Sequence, residues 1–508
     1  MTIEAAAVAA LSRRTVVAGV AAALSPFRSP AWAVTASAPG LMPPSAQRED
    51  LDVVRRVLDE SHVGLHWHLD RRTYAAMLDR LVEQAAAPVE PRLFQLRLTR
   101  FVAALGHGHT TLEATAAGSG YRLRRVPNGS PAFPLGVRVI DGRLYVAHDL
   151  GADGDVGAGT EILEVDGRPA RALLAQLEAL ISADGPGLSF KRHQLGPGWR
   201  FQDALQLLDG PRERHRARVR RLDGRVVAAA LPAVTSEELV KRFAKRQGRT
   251  LDAYGPAVAY ERRDRVGVLT IGSFYEGLLS KGSPGFAAEF DRAFERIAAD
   301  GVVRLVLDLR GNEGGNNDYV PMLYAHLADR PFRFVGPTIL KSNTISGLKY
   351  AQDPSDDLKA FAVDPAKFVL PDPTHGWVLK PEFAPIKDYA PTATPYAGPL
   401  TVLTDGGSFS ATGGVLDLIH RFHRREGREV RFLGEAPGVD TRLGWGSGGQ
   451  SLAVTLPNSR LRLAVPILAS RNHFGSAPTP VSLPDRVLEP TPAELASGVD
   501  GVLTRATA

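Results

Sequence analysis

The sequence DGGSFSATGG (residues 405–414) joins an apolar run, PLTVLT (399–404), to VLDLIHRFHRR, whose apolar residues recur at helical spacing. Glycine and serine are ordinary turn residues, and a flexible connection would use them too. A serine at a helix start, however, lies beside backbone N–H groups that have no partner within the helix, where the helix dipole favours negative charge. Ser410 followed by Ala411 therefore combines an attacking hydroxyl with an amide able to hold the oxyanion formed on attack. Ser408, in the same turn, is the rival nucleophile.

A second segment, LVLDLRGNEGGNND (305–318), has the same form: an apolar strand leading into a glycine-rich loop, with Asp308 and Arg310 at the junction. Glycine lets backbone N–H groups approach a ligand closely, which makes Gly314 the second oxyanion donor. A tight turn or a phosphate cradle would share the pattern, but the lysine of a P-loop is missing. A nucleophilic serine also needs a base. Each of the 13 histidines qualifies by type, and no lysine follows Lys387. The base is therefore a histidine or lies earlier in the chain.

Three textures surround these segments, and none repeats another. Between 47 and 105, LDVVRRVLDE, YAAMLDRLVEQ and PRLFQLRLTRFVAAL space their apolar residues three and four apart; Pro91 opens the last and Gly106 ends it. From 117 to 235, short alternating segments separated by Asp-Gly turns predict a mostly-β module. Within it, GAGTEILEVDGRPARALLAQLEALI (157–181) runs turn, strand, turn, helix. That order resembles a PDZ module, which binds extended peptides, although a generic β-module would also contain it. Beyond 259, strands alternate with helices (VGVLTIGSF, FAAEFDRAFERIAAD, VVRLVLDLR), which predicts a parallel sheet covered on both faces with reactive groups at its strand ends.

A chain of 508 residues, 44% hydrophobic and 23% charged, is expected to form several domains of ordinary globular composition. Its net charge of +6 is a weak argument for a nucleic-acid partner, because part of the excess lies in the first 33 residues (Arg13, Arg14 and Arg28 against Glu4). The basic stretch RERHRARVRRLDGR (212–225) alternates arginine with other residues and turns at Asp223-Gly224, as the solvated face of a hairpin would. The absence of cysteine removes disulfides, thiolate nucleophiles and cysteine-zinc sites. Arg13-Arg14 stands before a short apolar run, and AWA (31–33) follows at cleavage spacing. Residues 1–33 thus resemble a twin-arginine export signal, which implies a periplasmic or secreted protein. No later segment is apolar enough to predict a membrane span.

LVLDLRGNEGG, GGSFSATGG and the late LPDRVLEPT (483–491), taken together and in this order, resemble the C-terminal-processing, or tail-specific, serine peptidases. The resemblance covers residues 47–505 and implies a multidomain α/β fold. Its parts would be an export signal (1–33), an N-terminal helical domain (34–116), a PDZ-like mostly-β domain (117–235) and a crotonase- or ClpP-like catalytic domain (236–508). It favours Ser410 over Ser408. One branch of the family uses a lysine in the glycine-rich turn that aligns with GEAPGVDTRLGWGSGG, and that turn has none here. The chain is more similar to the tricorn-protease and retinoid-binding-protein branch, whose base is a histidine in a Leu-Gly-x-x-His setting; LGHGHTTL (105–112) puts His109 there. The serine preceding that histidine is replaced by Gly108, and the acid completing the network has no clear counterpart, so Asn472, Asp485 or His107 would orient His109.

The implied activity is hydrolysis of unfolded polypeptides or protein C-termini without a cofactor. Catalysis would rest on Ser410 and His109, with the Gly314 and Ala411 amides as oxyanion hole. Two alternatives remain: a catalytically silent carrier of an apolar ligand or peptide on the same fold, and a metal-dependent hydrolase using His107-x-His109 and His66-x-His68, for which no HExxH motif is present.

Overall fold

A computed structural model describes residues 40–508 except 115–128, 152–155, 197–199, 248–254, 352–353, 385, 423, 425–426, 440–444, 448–450 and 472–483. The export-signal reading therefore falls outside the described residues, as does Asn472. The described residues begin with three helices: α1 (Pro44–Ser61), α2 (Arg71–Gln84) and α3 (Pro91–Ala104). Proline occupies the first turn of α1 and α3, where no intrahelical N–H is lost. Their buried faces, with Val54, Val57, Leu58, Leu98 and Phe101, share one apolar core with Leu452, Val454, Leu463 and Val465 from the far end of the chain.

That sharing has a backbone counterpart. Strand β1 (Thr111–Ala114) pairs antiparallel with a late strand, Leu461–Pro466, in the register Thr111↔Ala464. A three-stranded sheet thereby fixes the segment immediately after His109 to the C-terminal part of the chain.

The central module contains β2 (Leu135–Ile140), β3 (Arg143–Asp149), β4 (Glu161–Val165), helices α4 (Ala170–Glu178), α5 (Ser189–Leu195) and α6 (Arg200–Asp209), then β5 (Arg214–Arg220) and β6 (Val226–Pro232). The strands form one sheet in the order β2-β3-β4-β5-β6. Asp141-Gly142 and Asp166-Gly167 both take positive φ, as tight turns require. The basic stretch is the β5–β6 hairpin, with Arg214, Arg216, Arg218 and Arg220 exposed and His215, Ala217 and Val219 buried between them.

The later part of the chain is built on a six-stranded sheet. Its strands are β7 (Val258–Arg263), β8 (Val266–Ile271), β9 (Arg304–Asp308), β10 (Leu400–Thr404), β11 (Val430–Gly434) and β12 (Arg486–Val487), in that spatial order. Only the β7–β8 pair is antiparallel; β8 to β12 run parallel. Helix α7 (Phe286–Asp300) buries Phe286, Phe290, Ala293, Phe294 and Ile297, a three-and-four spacing that gives one apolar face, and Gly301 ends it at φ +56°. Each such phenylalanine contributes about 1.5–3 kcal/mol by leaving water. Helices α8 (Tyr319–Ala325) and α9 (Ala411–Phe422) complete this core. The architecture is the expected multidomain α/β. Strands β9 and β10, neighbours in the sheet, release the GNEGG loop and the DGGSFS turn side by side.

Candidate active site

Ser410 has φ +56°, an uncommon conformation for a residue other than glycine, between the end of β10 and the first residue of α9. Such a conformation persists only where the surroundings over-determine it. Here Asn312 does so from the facing loop. It is fully buried, its backbone carbonyl accepts from Phe409 N–H at 3.0 Å and Thr412 Oγ1 at 2.9 Å, and its side-chain amide donates to Ile271 O at 2.9 Å. Ser408 serves the scaffold as well. Its hydroxyl is buried, donates to Leu309 O at 2.8 Å and accepts from Asp405 N–H at 3.1 Å, whereas Ser410 is half-buried at the helix start.

His109 meets this turn from a position 301 residues earlier: its Nε2 lies 3.0 Å from Ser410 Oγ. The imidazole stacks on Phe409 with ring centroids 4.8 Å apart, and Phe409 stacks on Phe190 of α5 at 4.3 Å. Burial draws the His109 pKa down to about 4, so the ring is neutral at pH 7 and able to accept a proton. The loop carrying it is clamped by the central module: Gly108 N–H donates to Asp184 Oδ1 at 2.7 Å, and Gly185 N–H donates to Gly106 O at 2.9 Å. A Cβ at Gly108 would stand 2.6 Å from Phe409 Cζ. Glycine at position 108 thus has a steric cause.

The partners considered for His109 separate in space. His107 is buried, and its Nδ1 accepts from the His109 backbone N–H at 3.3 Å. Asp485 is engaged at β11, where Oδ2 accepts from Phe432 N–H at 2.8 Å and Oδ1 pairs with Arg424 at 2.6 Å. Asp184, which sequence reasoning missed, offers a carboxylate oxygen within 4.8 Å of a ring nitrogen of both His107 and His109. Among the described residues these three side chains form the group that could admit a metal ion, and His66 and His68 are not part of it. His66 Nδ1 instead contacts Leu69 O at 3.2 Å.

Gly314 adopts φ +97°, and a Cβ there would lie 2.7 Å from Ser410 Cβ and 2.8 Å from Ala411 N. Only glycine brings the GNEGG backbone so near the Ser410 turn. The Gly314 N–H donates to Asn312 Oδ1 at 2.9 Å, while Ala411 N–H lies in the first turn of α9. Arg310, at the loop's start, is bound to Asp308 at 2.6 Å and Asp500 at 2.7 Å, which ties the C-terminal segment to the sheet.

Residues 265–426 match the model of peptidase family S41, a stretch holding β8 to α9 and therefore both active-site loops. A search of the curated proteins finds no match by sequence. Among solved structures, mature CPAF complexed with lactacystin aligns at TM-score 0.60 and 15% identity, covering 91% of this chain and 97% of that one. Mature CPAF alone aligns at TM-score 0.59, also at 15% identity, over 91% and 96%. The photosystem II D1 C-terminal processing protease aligns at TM-score 0.40 and 16% identity, over 90% and 97%. The matched segment is thus similar to peptidase family S41, and the likeness to CPAF is one of fold.

Proposed function

We propose that this chain is an exported serine endopeptidase acting on unfolded polypeptides or protein C-termini through Ser410 and His109. The contact that carries the reading is Ser410 Oγ to His109 Nε2 at 3.0 Å, within the reach expected of a nucleophile and its general base. His109 takes the hydroxyl proton as Ser410 Oγ adds to the scissile carbonyl carbon. It then delivers that proton to the leaving amine, and a water molecule repeats the cycle to release the acyl group. Ala411 N–H, at the positive end of α9, supports the oxyanion. Gly314 serves as the second donor when its N–H turns from Asn312 towards the substrate. The PDZ-like region presents an extended chain to the site, and the amino-terminal Arg13-Arg14 segment directs export.

No described helix is long and apolar enough to cross a membrane. Hydrolysis of a denatured protein by the purified chain tests the reading. Ser410→Ala and His109→Ala are each expected to lower kcat by at least about a thousandfold. Full activity in Ser410→Ala, with loss on chelation, would favour the metal-dependent alternative. An inert wild type that copurifies with an apolar ligand would favour the carrier.

A further inference from the structure

Helix α5 lies in the central module, yet it touches both active-site loops. The His193 ring packs on Gly407 of the serine turn so closely that a Cβ there would lie 2.5 Å from Nε2. Its Nδ1 is 3.5 Å from Asp405 Oδ2, and its Nε2 is 4.0 Å from Glu313 Oε1. Asp405 in turn accepts, through Oδ1, from Gly311 N–H and Gly407 N–H, both at 2.8 Å. Its carboxylate therefore caps the glycine loop and the serine turn together. Glu313, within GNEGG, also accepts from Gln194 Nε2 at 2.7 Å and faces Arg200 at 3.8 Å.

We propose that His193 is a positioning residue, whose protonated ring ties the serine turn, through Asp405, to the oxyanion loop, through Glu313. The inference rests on Ser410 being the nucleophile. A cation between two carboxylates from separate loops fixes their spacing, and with it the distance from Gly314 to Ser410 on which an oxyanion hole depends. Burial alone would lower the ring's basicity, but Asp405 and Glu313 outweigh both burial and the repulsion from Arg138, leaving the pKa above its ordinary value of 6.5. Arg138 is itself paired with Glu435. Asp405 is held below the usual carboxylate range, because the adjacent His193 charge and the hydrogen bonds it receives overcome the effect of burial. The sign follows: the tie is complete below the raised pKa of His193 and loosens as pH rises through it.

The test measures kcat and KM for peptide hydrolysis between about pH 5 and about pH 9 in wild type, His193→Gln and Asp405→Asn, with histidine-selective NMR titration of the wild-type ring. The expected wild-type kcat falls on the alkaline side, with its midpoint at the His193 titration. In His193→Gln, kcat at neutral pH drops about tenfold or more, KM stays within about threefold, and the alkaline fall disappears. Asp405→Asn keeps an oxygen for the two glycine amides but loses the charge, so its alkaline fall moves to lower pH. A folded His193→Gln with wild-type kcat and an unchanged pH profile would overturn the proposal. If that variant does not fold, a wild-type His193 ring titrating at or below 6.5 overturns it equally. A wild type without activity would sink the peptidase reading instead, and hydrogen-exchange protection of Gly311 and Gly407 across the His193 titration still decides the tie.

Discussion

The His109 ring lies on Phe409, the residue just before Ser410, with centroids 4.8 Å apart and planes inclined by 26°. The turn that lifts Ser410 towards His109 therefore also supports and shields the imidazole. This contact links the two parts of the site more tightly than their hydrogen bond alone.

The first consequence is an acid limb in the pH profile. A base must be unprotonated to act, and burial holds His109 at about 4. Activity is expected to be nearly full at about pH 6 and to decline tenfold per unit only below about pH 4. A limb centred near an ordinary histidine value, about 6.5, would mean that the ring is solvated in the working enzyme.

Removing the stacked ring should reverse that shift. Phe409→Ala opens His109 to water, so the acid limb should rise towards about 6.5. Losing a side chain that is 2% exposed should cost about 3–5 kcal/mol of stability. Thermal denaturation and a pH–rate profile of the same sample check both effects.

Placing a serine at position 108 should disrupt the site. In Gly108→Ser the new Cβ meets Phe409 Cζ at 2.6 Å, so either Phe409 or the His109 loop must move. Activity should fall by about a hundredfold, the scale expected for misplacing a catalytic group by about 1 Å. Gly108→Ser combined with Phe409→Leu should recover part of it. A single variant with undiminished kcat contradicts the steric account.

Gly314→Ala should be at least as damaging. The added methyl would stand 2.7 Å from Ser410 Cβ on a backbone at φ +97°. The expected loss in kcat is about a hundredfold to a thousandfold, with a smaller change in KM. A loss confined to KM would place Gly314 in substrate binding only.

The two serines of the turn should separate cleanly. Ser408→Ala removes hydrogen bonds to Leu309 and Asp405, costing about 1–3 kcal/mol, but leaves Ser410 able to react. Ser410→Ala should abolish reaction with serine-directed reagents while leaving the melting temperature nearly unchanged.

Much of this site can be read in the sequence because a strand-to-helix turn of small residues has few uses. Ser410, Ala411 and Gly314 follow from local pattern, since each lies within a few residues of a strand end. His109 is legible only through its setting in LGHGHTTL, because no local rule places a histidine opposite a serine 301 residues away. What brings it there is the pairing of β1 with Leu461–Pro466 and the core shared by α1 to α3 with the late strands, both products of long-range packing. Asp184, Asn312 and His193 escaped notice for the same reason. Their partners lie 76, 41 and 212 residues away, and nothing in their immediate neighbours marks them. Asn312 is the clearest instance: in sequence it is one polar residue of a glycine loop, yet in the fold it fastens that loop to both β8 and the serine turn.

The most direct test is the rate and position of modification by a fluorophosphonate, read by mass spectrometry of the labelled peptide. The account predicts one adduct, on Ser410, formed at least about a thousandfold more slowly in His109→Gln. An adduct on Ser408, or equal labelling of Ser410 with and without the His109 imidazole, would contradict it.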